Sequence, residues 1–67
     1  MRTDAEGLWR VIYMTHDLQA LESVEQMLTG EGFLVQRRSV SGAGAHELRV
    51  LESEAREARQ LIMEKGF

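Results

Sequence analysis

The chain has 67 residues, 43% of them hydrophobic and 28% charged, which is the composition of one small globular domain and excludes a disordered or fibrous protein. A formal charge of −3 at pH 7 and a single lysine, Lys65, argue against a general binder of nucleic-acid phosphates. Because there is no cysteine, a disulfide framework and a thiolate metal site are both excluded.

The first seven residues are polar and end in Gly7, so we expect a loose tail over residues 1–7 and a single domain over residues 8–67. No window reaches the roughly 18 consecutive apolar residues of a membrane span. The start of the chain also lacks the apolar core of a signal peptide. These features predict a cytoplasmic protein that does not contact a membrane.

A first strand is predicted over residues 8–14, which are rich in strand-favouring side chains. Strict alternation along this strand gives two faces that are both largely apolar. One carries Trp9, Val11 and Tyr13, and the other carries Leu8, Ile12 and Met14, interrupted by Arg10. Such a strand is either covered on both sides within the domain or has one face covered from outside it.

A helix is predicted to follow, with Thr15 as its N-cap and Asp17 in its first turn, where a negative charge suits the helix dipole. Its apolar residues recur at helical spacing up to Thr29. This stripe consists of Leu18, Ala20, Leu21, Val24, Met27 and Leu28. Gly30 is expected to end the helix as the residue after the C-cap, and Gly32 marks the turn that follows.

The second strand is predicted over residues 33–40 and the third over residues 46–52, joined by the small flexible loop 41–45. In the third strand, Leu48 and Val50 face one way and Glu47, Arg49 and Leu51 the other.

Ser53 is expected to cap a second helix, with Glu54 in its first turn and Gly66 at its end, leaving Phe67 as a hydrophobic contact beyond the cap. The buried stripe of this helix is predicted to be Ala55, Ala58, Leu61 and Ile62.

The element order is therefore βαββα, an α+β fold. A right-handed β-α-β crossover leaves room between the first and second strands, and the hairpin places the third strand in that gap. This predicts a three-stranded antiparallel sheet in order 1-3-2 with both helices on one face, a split-βαβ or ferredoxin-like unit. The other face of the sheet is expected to be bare unless a second copy covers it.

Three segments, Trp9–Tyr13, Leu28–Phe33 and Glu47–Glu54, followed by Ala55 and Ala58, resemble a family of small bacterial signal-transducing proteins. That family is of unknown function, and its fold is similar to the nitrogen regulatory PII (GlnB-like) proteins. The resemblance covers about residues 8–65. This chain departs from the family pattern at three positions. Leu34 and Glu52 stand where relatives often have proline, and Arg37 stands where an aliphatic residue is expected.

The resemblance implies a regulatory role. Neither catalysis nor a cofactor is expected from the residues themselves, because no pair of carboxylates, no Ser/His/Asp order and no activated nucleophile is evident. In PII-like proteins the loop between the second and third strands contacts the partner, but here that loop, Ser39–Ala45, is far shorter and has no tyrosine to modify. Some small relatives carry the name glutamate decarboxylase. That activity needs a Schiff-base lysine in a pocket, and Lys65 is expected in a terminal helical turn.

His16, Asp17 and His46 are the candidate metal ligands. If the first and third strands pair antiparallel, these side chains and Thr15 meet at one edge of the domain. Two imidazoles and a carboxylate suit zinc or another divalent ion, which gives an alternative function as a metal or small-molecule sensor. The simpler interpretation is two solvated histidines and a helix-end acid, because no fourth ligand is evident.

Two further sites are weighed against simpler interpretations. The glycine-rich loop could offer backbone N–H groups to an anion, but it does not lead into a helix N-terminus, so a flexible hairpin is favoured. Trp9 and Tyr13 could stack single-stranded nucleic acid with the help of nearby arginines, namely Arg10, Arg38 and Arg49. The acidic balance and the lack of an aromatic residue on the central strand argue against nucleic acid.

The sequence therefore favours a non-catalytic binding or regulatory module that self-associates as a homodimer and contacts an unknown protein partner. A core of this size supplies little stability alone, and the first strand offers two apolar faces. Association could cover the open sheet face or extend the sheet through the edge strands, which are the first and second, and the sequence leaves both modes open. The candidate interface residues are Trp9, Arg10, Val11, Ile12 and Tyr13.

Overall fold

A computed structural model describes residues 8–67, and the tail expected over residues 1–7 lies outside this part of the chain. The elements are β1 (Trp9–Thr15), α1 (Leu18–Gly30), β2 (Val35–Val40), β3 (Ala45–Leu51) and α2 (Ala55–Glu64). A 3-10 turn at Glu52–Glu54 precedes α2. The βαββα order and the α+β class are confirmed. Neither described helix is long and apolar enough to cross a membrane.

The three strands form one antiparallel sheet in the order β1-β3-β2, with both helices packed on the same face. The central strand β3 pairs with β1 on one side and with β2 on the other. A four-residue turn, Ser41–Gly44, closes the β2–β3 hairpin between the paired residues Val40 and Ala45. The predicted split-βαβ topology is therefore confirmed.

The hydrophobic core lies between the sheet and the two helices. It consists of Ile12, Leu21, Val24, Leu28, Leu48, Val50, Ala55, Ala58 and Ile62. Both predicted helical stripes contribute to this core, with three exceptions. Leu18 at the start of α1 is 46% exposed, and Ala20 and Leu61 are only half-buried and lie outside the core cluster. Apolar burial between these layers is the main stabilising contribution to the fold.

A β-bulge at Ile12 interrupts the alternation of β1. Val11 lies opposite Arg49 and Tyr13 lies opposite Leu48, so Ile12 is the extra residue on its strand. Ile12 is buried in the core, and the Tyr13 side chain packs against the core as well. The predicted face of Trp9, Val11 and Tyr13 is therefore wrong beyond Val11, because one extra residue reverses the side to which the rest of the strand points.

Neither helix begins with the cap expected from the sequence. Asp17, not Thr15, is the N-cap of α1, and its Oδ1 accepts hydrogen bonds from the backbone N–H groups of Gln19 at 3.0 Å and Ala20 at 3.4 Å. Thr15 ends β1, and its hydroxyl accepts from the Asp17 N–H. Ser53 lies within the 3-10 turn, so α2 begins after Glu54 without a side-chain cap.

Helix α1 ends in a Schellman motif centred on Gly32. The Gly32 N–H donates to the Thr29 carbonyl and the Phe33 N–H donates to the Leu28 carbonyl, while Gly32 has φ +98°. Gly30 was predicted to be the residue after the C-cap. It is instead the last helical residue, and Gly32 is the glycine that follows the C-cap. Because the Phe33 amide is used in this motif, β2 begins at Val35 rather than at the predicted Phe33.

Helix α2 ends in the same way, at Gly66 as predicted. Gly66 has φ +83°, its N–H donates to the Met63 carbonyl, and the Phe67 N–H donates to the Ile62 carbonyl. The Phe67 side chain beyond the cap is 49% exposed.

Candidate interaction surface

The sheet face opposite the helices is the candidate interaction surface, and we call it the open face. Its members follow from the strand pairing, since Leu48 and Val50 of β3 point to the core and their neighbours point away. The open face consists of Trp9, Val11, Met14, Gln36, Arg38, Val40, Ala45, Glu47, Arg49 and Leu51. None of the elements within residues 8–67 packs against it.

Arg49 lies at the centre of the open face and is 8% exposed, the only buried charged residue in the described part of the chain. Its neighbours across the strands are Val11 on β1 and Gln36 on β2. Within residues 8–67 the guanidinium makes no hydrogen bond or ion pair, whereas Arg10 and Arg37 each pair with a glutamate. A sheltered cation of this kind is suited to an anionic partner.

A concavity of about 340 Å³ surrounds Arg49 on the open face. Trp9 and Val11 form its apolar side, and the β2–β3 hairpin forms the opposite side. Its lining residues on that side are Arg38, Ser39, Val40, Ser41 and Glu47. The surface thus combines an apolar wall with groups of both charges, which is typical of protein contact surfaces rather than of closed catalytic pockets.

The five candidate interface residues do not share one surface. Trp9 and Val11 lie on the open face, while Ile12 is buried in the core and Tyr13 packs against it. Arg10 lies opposite Val50 on the helix side, and its guanidinium donates to Glu52 Oε2 at 2.7 Å. Only Trp9 and Val11 are therefore positioned to contact a partner through the open face.

The bulge adds a residue to this surface that the sequence placed elsewhere. Met14 lies opposite Glu47 on the open face and is 55% exposed. The outward direction of Arg49 and Glu47 was predicted from alternation along β3, but the burial of Arg49 was not. Nothing in the local sequence signals either the bulge or the burial of Arg49.

The expected edge cluster is brought together only in part. Thr15 pairs with His46, so the end of β1 lies beside the start of β3 as predicted. His16 lies near Gly44, and the Asp17 carboxylate is engaged in capping α1. Within residues 8–67, no group of three or more His, Asp or Glu side chains is arranged to hold a metal ion.

A second cleft, of about 130 Å³, lies between the end of α1 and the start of α2. It is lined in part by Glu31, Glu54 and Glu57, and one buried oxygen of Glu54 has no hydrogen-bond partner among residues 8–67. These carboxylates form no metal-binding group in the described residues.

The structure separates the two aromatic residues that would stack single-stranded nucleic acid. Trp9 faces outward on the open face, but Tyr13 packs towards the helices. Base-binding sheets present their aromatic residues together on one surface. This chain does not, so the stacking platform is not formed.

Lys65, the lysine considered for Schiff-base chemistry, is the exposed C-cap of α2. Pyridoxal chemistry requires a lysine enclosed with its cofactor. The position of Lys65 offers no such enclosure.

Comparison with protein-family models, curated proteins and solved structures finds no match to this chain. Functional inference therefore depends on the residues of the open face.

Proposed function

We propose that this protein is a non-catalytic binding and regulatory module that self-associates as a homodimer through its open face. The observation that supports this most directly is Arg49, which is 8% exposed on a sheet face that no element of residues 8–67 covers and has no ion-pair partner within those residues. A second protein surface would supply both the cover and the counter-charge.

The apolar residues of the open face support the same proposal. Val11 and Met14 are exposed, and Trp9 is half-buried beside them on the same strand. Aromatic residues, methionine and arginine are enriched at protein interfaces, and their burial stabilises association. A domain of this size buries only about 60% of the surface that its unfolded chain exposes, less than a larger domain does, so covering one sheet face would add to its stability.

A signalling role follows from the resemblance between this chain and the bacterial signal-transducing family, and it is part of the proposal. In such a role the dimer would present its helices and the Ser41–Gly44 turn to a further protein. No catalytic role is proposed, because no nucleophile, base and pocket come together among the described residues.

The oligomeric state tests this proposal. We expect a dimer by light scattering and sedimentation equilibrium at tens of micromolar. Val11→Glu introduces a charge on the open face and should give a monomer. Leu34→Glu is the matched control, because Leu34 is 61% exposed and lies outside the sheet, and this variant should remain a dimer.

Circular dichroism would establish that both variants are folded. A wild-type chain that remains monomeric at several hundred micromolar would contradict the proposal. If both substitutions weaken the dimer equally, the dimer contact does not lie specifically on the open face.

A further inference from the structure

We infer that two copies pack open face to open face about a two-fold axis that crosses the strands at Leu48, with Arg49 of each copy paired to Glu47 of the other. This inference rests on the proposed function and specifies its geometry. The basis is a pair of opposite charges on β3 that make no ion pair within residues 8–67 and are complementary between two copies.

Arg49 and Glu47 share the open face and both line its concavity. Neither makes a hydrogen bond or an ion pair with any residue in the 8–67 region. Residues two apart on a strand are separated by about 6.7 Å along it, so their side chains stand side by side rather than meeting. Neither charge is therefore committed to an ion pair within residues 8–67, with Arg38 of β2 lying directly opposite Glu47.

Two-fold symmetry selects the arrangement. In an isologous interface, residue i of one copy contacts residue j of the other, and j contacts i. An axis across the strands at Leu48 runs the two central strands antiparallel and sets Arg49 over Glu47 of the second copy. An axis along the strands would set Arg49 over Arg49, and this like-charge contact is unfavourable.

The distance between packed sheets is suited to this pair. Sheets stack about 10 Å apart with interdigitating side chains, a gap that one arginine and one glutamate together can span. Because the interface would remove water from Arg49, an ionised partner is needed there to avoid an uncompensated buried charge.

The same axis matches the apolar residues of β1. Val11 lies at the level of Arg49 and Met14 at the level of Glu47. The axis therefore sets Val11 of each copy over Met14 of the other copy, which gives two symmetry-related apolar contacts. On β2, Gln36 and Arg38 occupy the corresponding levels and would also face each other between copies. The register thus gives an apolar row and a charged row that are each self-complementary.

Charge reversal tests the arrangement. Arg49→Glu sets two carboxylates against each other across the axis, and Glu47→Arg sets two guanidinium groups together. Each variant should dimerise about 100-fold more weakly than the wild type or worse. Their equimolar mixture should form a heterodimer, and the double variant Arg49→Glu/Glu47→Arg should dimerise within about tenfold of the wild type.

Native mass spectrometry with a mass tag on one variant would distinguish the heterodimer from either homodimer. Arg56→Glu and Glu57→Arg are matched controls on the exposed surface of α2, and they should leave dimerisation unchanged. Should a charge-reversal variant fail to fold, Arg49→Gln and Glu47→Gln replace it. These variants should weaken the dimer, and mixing them should restore it in part, because the heterodimer keeps one Arg49–Glu47 pair and sets glutamine over glutamine at the other position.

The outcomes separate this inference from the proposed function. A monomeric wild type would contradict both the inference and the proposed function. If the wild type is a dimer and the single charge-reversal variants dimerise normally, the inference is overturned and the proposed self-association is not. The edge strands would then be the next candidate for the contact. Weak single variants without heterodimer formation on mixing would also overturn it, because the charges would then act within each copy.

Discussion

The Asp17 carboxylate is used to cap the N-terminus of α1. Its side chain accepts two backbone N–H groups at the start of α1, while the Thr15 hydroxyl accepts from its own N–H. These three hydrogen bonds satisfy backbone N–H groups at the start of the helix that have no partner within it. Asp17 therefore has a structural role that competes with any role as a metal ligand.

Gly30 and Gly32 are two residues apart but should respond oppositely to alanine. Gly30 is helical with open space at its Cβ position, so Gly30→Ala should raise the free energy of unfolding by about 0.5–1 kcal/mol. Gly32 has φ +98°, so Gly32→Ala should lower it by about 1–2 kcal/mol. Urea unfolding of the two variants measures both.

Each glycine is the control for the other, since the substitution and the neighbourhood are the same. Destabilisation by Gly30→Ala together with a neutral Gly32→Ala would show that Gly30, not Gly32, is the residue after the C-cap, as the sequence suggested.

At the scale of elements, the bulge in β1 is coupled to helix α2. The Arg59 guanidinium on α2 donates to the Val11 carbonyl at 3.3 Å, beside the residue where the β1–β3 register shifts. A bulge disrupts the ladder locally and leaves backbone groups that need other partners. Arg59 provides one such partner and so links the helix layer to the irregular part of the sheet.

Arg37 connects α1 to β2 where an aliphatic residue was expected. Its guanidinium donates to Glu25 Oε1 at 2.6 Å and lies 4.0 Å from Glu22 Oε2. The Arg37 side chain points to the helix side of the sheet because it lies opposite Leu48. The arginine thus extends over the edge of the core to reach carboxylates on the helix.

A double-mutant cycle on Arg37→Met and Glu25→Gln should give a coupling energy of about 0.2–1 kcal/mol, because the pair is partly exposed. The coupling should diminish at 1 M salt, where exposed charges are screened. Arg56→Met with Glu25→Gln provides a control cycle, since Arg56 lies on α2 and makes no ion pair within the described residues. A coupling of zero at low salt would show that the contact is not energetically significant.

At the scale of the whole molecule, dimerisation would link stability to concentration. The thermal midpoint should rise by about 3–5 °C for each tenfold increase in protein concentration, because unfolding then includes dissociation. Arg49→Glu should show a midpoint that is independent of concentration. Differential scanning calorimetry from 5 to about 500 μM covers the range in which a micromolar dimer forms.

A concentration-independent midpoint for the wild type would indicate that folding and association are not coupled. Persistence of the concentration dependence in Arg49→Glu would instead assign the contact to other residues.

The amino-acid sequence by itself determined the order of elements and the topology. Helical spacing in residues 18–28 and 55–62 and alternation in residues 47–51 are local patterns, and each is satisfied by one type of element. With that order, the handedness of the crossover and the length of the hairpin leave one compact arrangement. The third strand was therefore correctly placed in the centre of the sheet.

Only the tertiary structure decided the bulge at Ile12, the cap at Asp17, the choice of Gly32 over Gly30 and the burial of Arg49. Each depends on which groups compete for the same space or the same hydrogen bond after the layers pack. Alternation along β1 cannot reveal an extra residue, because the register is set by the neighbouring strand and by burial against the helices. The composition of the open face, and with it the candidate interface, therefore follows from packing rather than from local pattern.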